Sequence, residues 1–243
     1  MSITNMPLRE IATELPAAIS IFEQFDIDLC AWGDKPLSEA CAELRLSTDQ
    51  VREKLDALSV AEGGVRDSAG LSLTKLIQRI VRVHHRRVRQ DLPALARMAA
   101  KLDNRRSSQN RPGASLAHSI QILHADLLAH IEKEEQILFP CIAAMEEEDG
   151  VLYHSERACF PSVREPIAAM MREHAAADRT IDELRDRTGN FEAAADACST
   201  QRALYGGLSN FEADLREHLH LENDILFPRT ITAELELRNR RQP

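Results

Sequence analysis

The sequence predicts an all-α protein, an antiparallel four-helix bundle preceded by a small helical domain. Two observations support this fold class. Aromatic residues make up only 4% of the 243 residues, and runs that alternate β-branched or aromatic residues with polar ones are missing, which disfavours a mainly β fold. Four long stretches instead repeat their apolar residues with helical periodicity, and long helices joined by loops are typical of a four-helix bundle.

The small domain is predicted to span residues 1–62 and to consist of short helices. Ser47 followed by Gln50 resembles a capping box, which predicts a helix over 48–58. Residues 28–33, which contain the only Trp, are predicted to form a loop.

The bundle domain is predicted to span residues 72–230, after a Gly-containing linker at 61–68. Proline removes one backbone donor, so Pro93 predicts a kink in the first long helix. The four long helices are predicted over residues 72–101, 115–145, 162–187 and 200–227.

Charge and cysteine usage exclude several classes of protein. The net charge of -9 disfavours a nucleic-acid binder, and a solvated helix face is the favoured explanation for the five arginines between 79 and 89. No apolar run approaches the ~18 residues that would span a bilayer, and no secretory signal is visible. Five cysteines without a CxxC pair argue against a disulfide framework, so we expect a cytoplasmic protein without membrane or nucleic-acid partners.

A duplicated segment is the most informative feature of the sequence. Residues 125–140 and 213–228 are identical at nine of sixteen positions, at a constant offset of 88. Folding requirements alone could explain the shared Ile-Leu-Phe-Pro ending. They do not explain why both copies carry His-x-x-x-Glu.

Each His-x-x-x-Glu places an imidazole and a carboxylate on nearly the same face of a helix, because four residues rise about 6 Å and complete about one turn. That face is predicted to be apolar: Leu123, Leu127 and Ile137 flank the first copy. A buried carboxylate is costly unless it is paired or bound to a metal. Two such carboxylates facing each other would repel unless cations lay between them.

The two remaining helices supply one more histidine each. His174 lies among Ile167, Met170, Met171 and Ile181, and the other helix carries the pair at 84 and 85. A lone buried His is usually a packed core residue, and a single His-x-x-x-Glu is a common surface pair. Two copies with a matching His before each favour a site for two metal ions ~3.5–4 Å apart.

Periodicity does not decide between His84 and His85, although the repeat spacing slightly favours His85. Three aspartates lie one turn from a histidine of the site, and each could orient a ligand or be a solvated group. They are Asp126, Asp178 and Asp214.

These motifs resemble those of the repair-of-iron-centres family, di-iron proteins of the YtfE/ScdA/NorA type with a hemerythrin-like domain. The resemblance covers nearly the full chain, including the short domain that precedes the bundle. The matching stretches are Lys-Glu-Glu-Gln-Ile-Leu-Phe-Pro at 133–140, His-Leu-His-Leu-Glu-Asn at 218–223, Leu-Phe-Pro at 226–228, Leu-Pro-Ala-Leu at 92–95, and residues 25–30 and 37–41.

The resemblance implies two non-haem iron ions with an oxo or hydroxo bridge, and it selects His85 because the family's ligand stands eight residues before Pro93. Glu134 and Glu222 would bridge the irons. Glu173 matches an acidic position that lines access to the iron in relatives. The implied ligands are His85, His130, Glu134, His174, His218 and Glu222.

The family is associated with repair of iron–sulfur clusters after nitric oxide or oxidative damage, and with binding or reducing nitric oxide. The expected partners are therefore nitric oxide or oxygen and iron–sulfur proteins. The alternative is a di-iron scavenger or sensor without turnover. The sequence leaves open whether the protein is an enzyme, whether manganese or zinc replaces iron, and whether the chain is a monomer or a dimer.

One departure from the family concerns the small domain. Relatives commonly carry two adjacent cysteines there, but Cys30 is followed by Ala31. This departure puts in doubt a disulfide or a metal transfer that needs the vicinal pair.

Overall fold

The computed structural model describes residues 3–15, 18–59, 70–108, 115–146 and 160–239, and within these ranges the regular elements are helices, without a β-strand. The predicted all-α fold class is confirmed. The predicted linker at 61–68 lies outside the described residues. No helix in this part of the chain is long and apolar enough to cross a membrane.

Short helices form the N-terminal region. The Ser47 hydroxyl accepts a hydrogen bond from the backbone N–H of Gln50 at 3.4 Å, at the predicted start of the last of them. The loop predicted at 28–33 is wrong in part, because four of its residues form one helical turn. The helices are α1 (Leu8–Glu14), α2 (Ala18–Gln24), α3 (Leu29–Trp32), α4 (Leu37–Glu43) and α5 (Thr48–Ser59).

Four long helical stretches follow, and three of them contain a short π-helical segment. The first is α6 (Leu73–Ile80), a π-segment (Val81–His85) and α7 (Arg86–Ser108). The second is α8 (Leu116–Lys133), a π-segment (Glu134–Leu138) and α9 (Phe139–Glu146). The third is α10 (Arg164–Arg187). The fourth is α11 (Ser199–His220), a π-segment (Leu221–Leu226) and α12 (Phe227–Asn239).

Two predicted helix ends are wrong. The first stretch continues to Ser108 and not to 101, because its polar residues contain neither Gly nor Pro and can remain helical. The fourth continues past Pro228 to Asn239. Pro93 lies inside α7, which runs through it.

The π-segments explain how the helices tolerate the repeated Phe-Pro. A proline ring crowds the carbonyl four residues earlier and cannot donate to it. Just before each proline, the N–H of Phe139 bonds to Glu134 O and that of Phe227 to Glu222 O, five residues back. The widened turn places one extra residue ahead of each proline, so the helix continues.

The chain forms two compact units. The first comprises Met1–Gly63, Arg87–His124 and Thr180–Ala213. In it Thr13 of α1 packs against Gly206 of α11, where an added Cβ would lie 2.4 Å from the Thr13 methyl group. Asn210 donates a hydrogen bond to the Thr13 carbonyl at 2.8 Å. The sequence-predicted domain boundaries stay a prediction.

The second unit comprises Gly64–Arg86, Ala125–Arg179 and Asp214–Pro243, and it has its own apolar core. That core is built from all four long helical stretches. Its largest members are Leu76, Ile80, Phe139, Ile142, Ile167, Met170, Leu226 and Phe227.

Two glutamates extend the internal repeat beyond the matching residues of the sequence. Glu146, at the end of α9, accepts hydrogen bonds from the N–H groups of Leu73 (2.6 Å) and Thr74 (2.9 Å) at the start of α6. Glu234, in α12, accepts from the N–H of Val163 (3.0 Å), just before α10. The two glutamates are 88 residues apart. Each carboxylate thus caps the first helix of its own pair, so the helices of each pair are antiparallel.

The cysteines depart from one expectation. Cys41 and Cys198 are free, but Cys141 is buried and disulfide-bonded. The number and spacing of cysteines did not reveal this bond, because pairing depends on which residues the fold brings together.

We predict that Glu234→Ala lowers the free energy of unfolding by about 2 kcal/mol, since hydrogen bonds to a charged group contribute about 1.5–3 kcal/mol. Glu234 is 1% exposed, and its loss leaves the N–H of Val163 without its carboxylate partner. The control is Glu236→Ala, an exposed position on the same helix. Urea denaturation measures both, and equal stability of the two variants would contradict the capping role.

Candidate metal centre

The structure brings the six sequence-predicted ligands together in the second unit. They form two groups, and within each group one potential ligand atom from every residue lies within 4.8 Å of the others. The first group is His85, Glu134, His218 and Glu222. The second is His130, Glu134, His174 and Glu222. Both carboxylates belong to both groups, so the site is one centre with two adjoining halves.

Helical geometry places these side chains, and the π-segments hold three of them. His85 ends the first π-segment, Glu134 begins the second, and Glu222 lies in the third. The predicted spacing of four residues brings His130 Nε2 to 3.3 Å from Glu134 Oε1. His218 Nε2 lies 3.0 Å from Glu222 Oε1 in the same way.

The other contacts cross from one helix to another. His85 Nε2 lies 3.3 Å from Glu134 Oε2 and 3.8 Å from Glu222 Oε1. His174 Nε2 lies 3.1 Å from Glu222 Oε2 and 2.9 Å from His130 Nε2. The four Nε2 atoms and the two carboxylates therefore point at one small volume.

Burial leaves several of these atoms without hydrogen bonds. Each of the six residues is at most 2% exposed. His85 Nε2, both oxygens of Glu134 and Glu222 Oε2 have no hydrogen-bond partner among the described residues. An unsatisfied buried polar atom costs about 1–3 kcal/mol, and more when it is charged. Two imidazoles and two carboxylates per group form a nitrogen and oxygen donor set that suits iron, manganese or zinc, so these residues fit a pair of metal ions.

The electrostatics of the metal-free side chains are those of tightly coupled ion pairs. Burial alone would lower the pKa of His85, but Glu134 and Glu222 raise that pKa to about 10. His130 is likewise disfavoured as a cation by burial, and its carboxylate neighbours raise its pKa to about 9. Burial and mutual repulsion oppose ionisation of Glu134, yet the imidazoles hold its pKa below the usual value.

The remaining two groups follow the same balance with different results. Burial opposes ionisation of Glu222, but His218, His174 and His85 hold its pKa well below the usual value. Burial dominates at His218 and lowers its pKa. Unprotonated imidazoles and ionised carboxylates are the forms that bind metal, so a cation would replace the protons that now separate the two carboxylates.

Three of the imidazoles bind an acceptor through their second ring nitrogen. His85 Nδ1 lies 2.7 Å from a carboxylate oxygen of Glu135. His130 Nδ1 lies 2.9 Å from a carboxylate oxygen of Glu173, and His174 Nδ1 lies 2.9 Å from the amide oxygen of Asn223. Such partners fix the orientation and tautomer of a metal-binding imidazole.

Each acceptor is the chain neighbour of a proposed ligand on a different helix. Sequence analysis did not predict Glu135 or Asn223, although both adjoin the repeated glutamates. Their position directly after Glu134 and Glu222 could have indicated that they lie beside the centre. Which imidazole each would face depends on the helix opposite.

The repeated phenylalanines also contact the centre. Phe139 stacks on His85 with centroids 5.6 Å apart, and Phe227 stacks on His174 at 5.9 Å. These residues are 88 apart, so the Ile-Leu-Phe-Pro ending contributes a wall of the site as well as a tolerated proline.

The structure also shows where the other sequence candidates, His84 and the aspartates, lie. His84 is 1% exposed and its Nδ1 lies 3.0 Å from Asp214 Oδ1, so His84 is a buried neighbour of the centre and belongs to neither ligand group. Asp126 is exposed. Asp178 is 40% exposed and lies 3.2 Å from Arg216.

Two residues predicted on the apolar faces are instead exposed. Ile137 is 50% exposed, because it lies in a π-segment that rotates the positions after Glu134. Met171 is 45% exposed, because the buried stripe of α10 runs along Ile167, Met170 and His174. Leu123 and Leu127 are buried as predicted.

Comparison with known proteins agrees with this geometry. Residues 76–230 match the hemerythrin HHE cation binding domain, and residues 4–59 match a domain of unknown function, DUF542. An iron-sulfur cluster repair protein YtfE of Dickeya chrysanthemi is 34% identical over 96% of this chain and 100% of its own length. The chain belongs to this family of hemerythrin-domain proteins.

Other members of the family are similarly close. A probable iron-sulfur cluster repair protein of Haemophilus influenzae is 32% identical over 95% of this chain and 99% of its own length. The YtfE protein of Yersinia pestis strain Pestoides F is 34% identical over 96% of this chain and all of its own length. Family membership confirms the resemblance drawn from the motifs, in both the small domain and the bundle.

We predict that this protein, without metal, loses thermal stability as the pH rises from 6.5 to 10. The raised pKa values of His85 and His130 mean that their protonated forms stabilise the fold fully below about 6.5, and that this stabilisation disappears as the pH passes through about 9 and 10. The lowered pKa of Glu134 acts oppositely, and its contribution is lost as the pH falls through that lowered value.

The measurement is the midpoint of thermal unfolding, with and without a chelator, across this pH range. Metal-loaded protein should lose less stability toward high pH, because bound imidazoles are already unprotonated. A midpoint of the metal-free protein that stays constant or rises from pH 6.5 to 10 would contradict the ion-pair description.

Proposed function

We propose that this protein holds two iron ions and repairs iron–sulfur clusters damaged by nitric oxide or oxidation in the cytoplasm. The observation that carries the proposal is the pair of fully buried carboxylates, Glu134 and Glu222, each shared by both groups of potential ligands. Support also comes from the relatives, which are named iron-sulfur cluster repair proteins and which this chain matches over nearly their full length.

The proposed ligand set assigns one role to each side chain. His85 and His218 would hold one ion, His130 and His174 would hold the other, and the two glutamates would be shared by both. Two positive ions between the glutamates would neutralise the charges that now depend on protonated imidazoles. Each half has two imidazoles of its own, and both halves share the two carboxylates.

When bound, two ferrous ions supply one-electron chemistry and an open position for nitric oxide or oxygen. Nitrogen and oxygen donors hold ferrous iron less firmly than thiolates do, which suits a protein that releases iron to an iron–sulfur partner.

Glu173 lines the proposed access to the ions. Its side chain is 36% exposed, and it joins His130 Nδ1 at 2.9 Å to Lys133 Nζ at 2.5 Å on the surface. The buried imidazole therefore has a direct polar link to solvent, and the corresponding partner of His85, Glu135, is less exposed at 27%.

We expect Glu134→Ala to lower the iron content from two ions per chain to one or none, because the carboxylate that both halves share is lost. The matched control is Glu132→Ala, an exposed glutamate two residues away. Both proteins are reconstituted anaerobically with ferrous iron and analysed for metal. Retention of two ions by Glu134→Ala would refute its bridging role.

A second experiment distinguishes repair from storage or sensing. A [4Fe–4S] protein inactivated with nitric oxide is incubated anaerobically with the diferrous protein, and its cluster absorbance is followed. The proposed function predicts recovery with wild type and Glu132→Ala, and none with Glu134→Ala. Recovery that is equal in all three, or a stable stoichiometric nitric oxide adduct without any recovery, would contradict it and favour a scavenger or sensor.

A further inference from the structure

Each residue that accepts a hydrogen bond from a histidine of the centre has a counterpart in the other helix pair of the internal repeat. The counterpart of one acceptor, Glu173, is a histidine and not a carboxylate. Glu173 immediately precedes His174 and accepts a hydrogen bond from His130 Nδ1. The corresponding residue of the first helix pair immediately precedes His85, and it is His84. The repeat would therefore place residue 84 against His218, the equivalent of His130.

His84 does lie against His218, but through the face of its ring. The two rings are parallel to within 6°, with centroids 5.4 Å apart. His84 Nδ1 lies 3.0 Å from Asp214 Oδ1, one turn before His218 on α11. His84 Nε2 is buried and has no hydrogen-bond partner among the described residues. Asp214 thus holds a ring whose flat face lies against His218.

The two halves of the centre consequently differ in their support. In the half formed by His130 and His174, both imidazoles bind an oxygen through Nδ1. In the half formed by His85 and His218, the first imidazole binds Glu135 in this way and the second is covered by a ring. A carboxylate on the second nitrogen makes an imidazole a stronger ligand, and loss of such a partner typically weakens metal binding by about 10–100-fold.

We infer that His84, held by Asp214, is the positioning residue of the His218 imidazole, and that the ion bound by His85 and His218 leaves the centre first. This inference rests on the proposed two-ion site. The ring face orients His218 without strengthening it as a ligand. Each half has one carboxylate acceptor, Glu173 or Glu135, and the halves differ because His174 has the further acceptor Asn223 where His218 has the ring face of His84. Release would therefore begin in the half that contains His218.

The test follows the release of cobalt(II) from the reconstituted full-length protein into an excess of chelator, using the ligand-field absorption of the bound ion. Wild type is expected to release two ions in two phases whose rates differ by at least about tenfold. His84→Leu removes the planar ring at similar volume, and should accelerate the fast phase by about tenfold and leave the slow phase unchanged. Glu173→Gln, at the equivalent place, should accelerate the slow phase alone.

His84→Phe is the conservative variant, because it keeps a ring face without ring nitrogens. It should keep the fast phase within about threefold of wild type, and thermal unfolding of each metal-free variant establishes that it is folded. A single release rate in wild type, an unchanged fast phase in His84→Leu, or equal acceleration by Leu and Phe would overturn the inference. Fewer than two bound ions in wild type would instead contradict the proposed function.

Discussion

The repulsion between two buried carboxylates is the constraint on which the rest of the site depends. Glu134 and Glu222 are 0% exposed and lie within reach of the same four imidazoles. An ionised carboxylate taken out of water costs several kcal/mol unless a cation compensates it. Protonated imidazoles provide that compensation in the metal-free chain, and they do so by adopting the protonation state that cannot bind metal. The same arrangement therefore explains both a raised imidazole pKa and a site suited to two metal ions.

A repeated helix pair builds this constraint twice. Each pair supplies one histidine from its first helix and His-x-x-x-Glu from its second, and each carries a phenylalanine stacked on an imidazole. A glutamate from the end of the second helix caps the start of the first in both pairs. The copies differ where acceptors meet imidazoles: Glu135 corresponds to Asn223, and Glu173 corresponds to His84. The backbone framework has remained symmetric, and the surroundings of the ligands have not.

Helical periodicity and the internal repeat were sufficient to predict the fold class and to select five of the six residues that the structure brings together. The sixth, His85, was chosen over His84 through the resemblance to the family. Periodicity was insufficient wherever the helix departs from α geometry. Ile137 was expected inside because it lies seven residues after His130, but the π-segment rotates it to the surface. Contacts between residues far apart in the chain could not be predicted from periodicity either. Glu146 caps a helix that starts 73 residues earlier, and His84 pairs with Asp214 130 residues later. Such contacts depend on which helices face each other, and a single sequence does not carry that information.

The most direct test of the central claim is anomalous diffraction at the iron edge from crystals of the anaerobically reconstituted protein. Two peaks about 3.5–4 Å apart are predicted, both within coordination distance of Glu134 and Glu222, with two imidazoles at each. A single peak, or iron bound away from these carboxylates, would contradict the account.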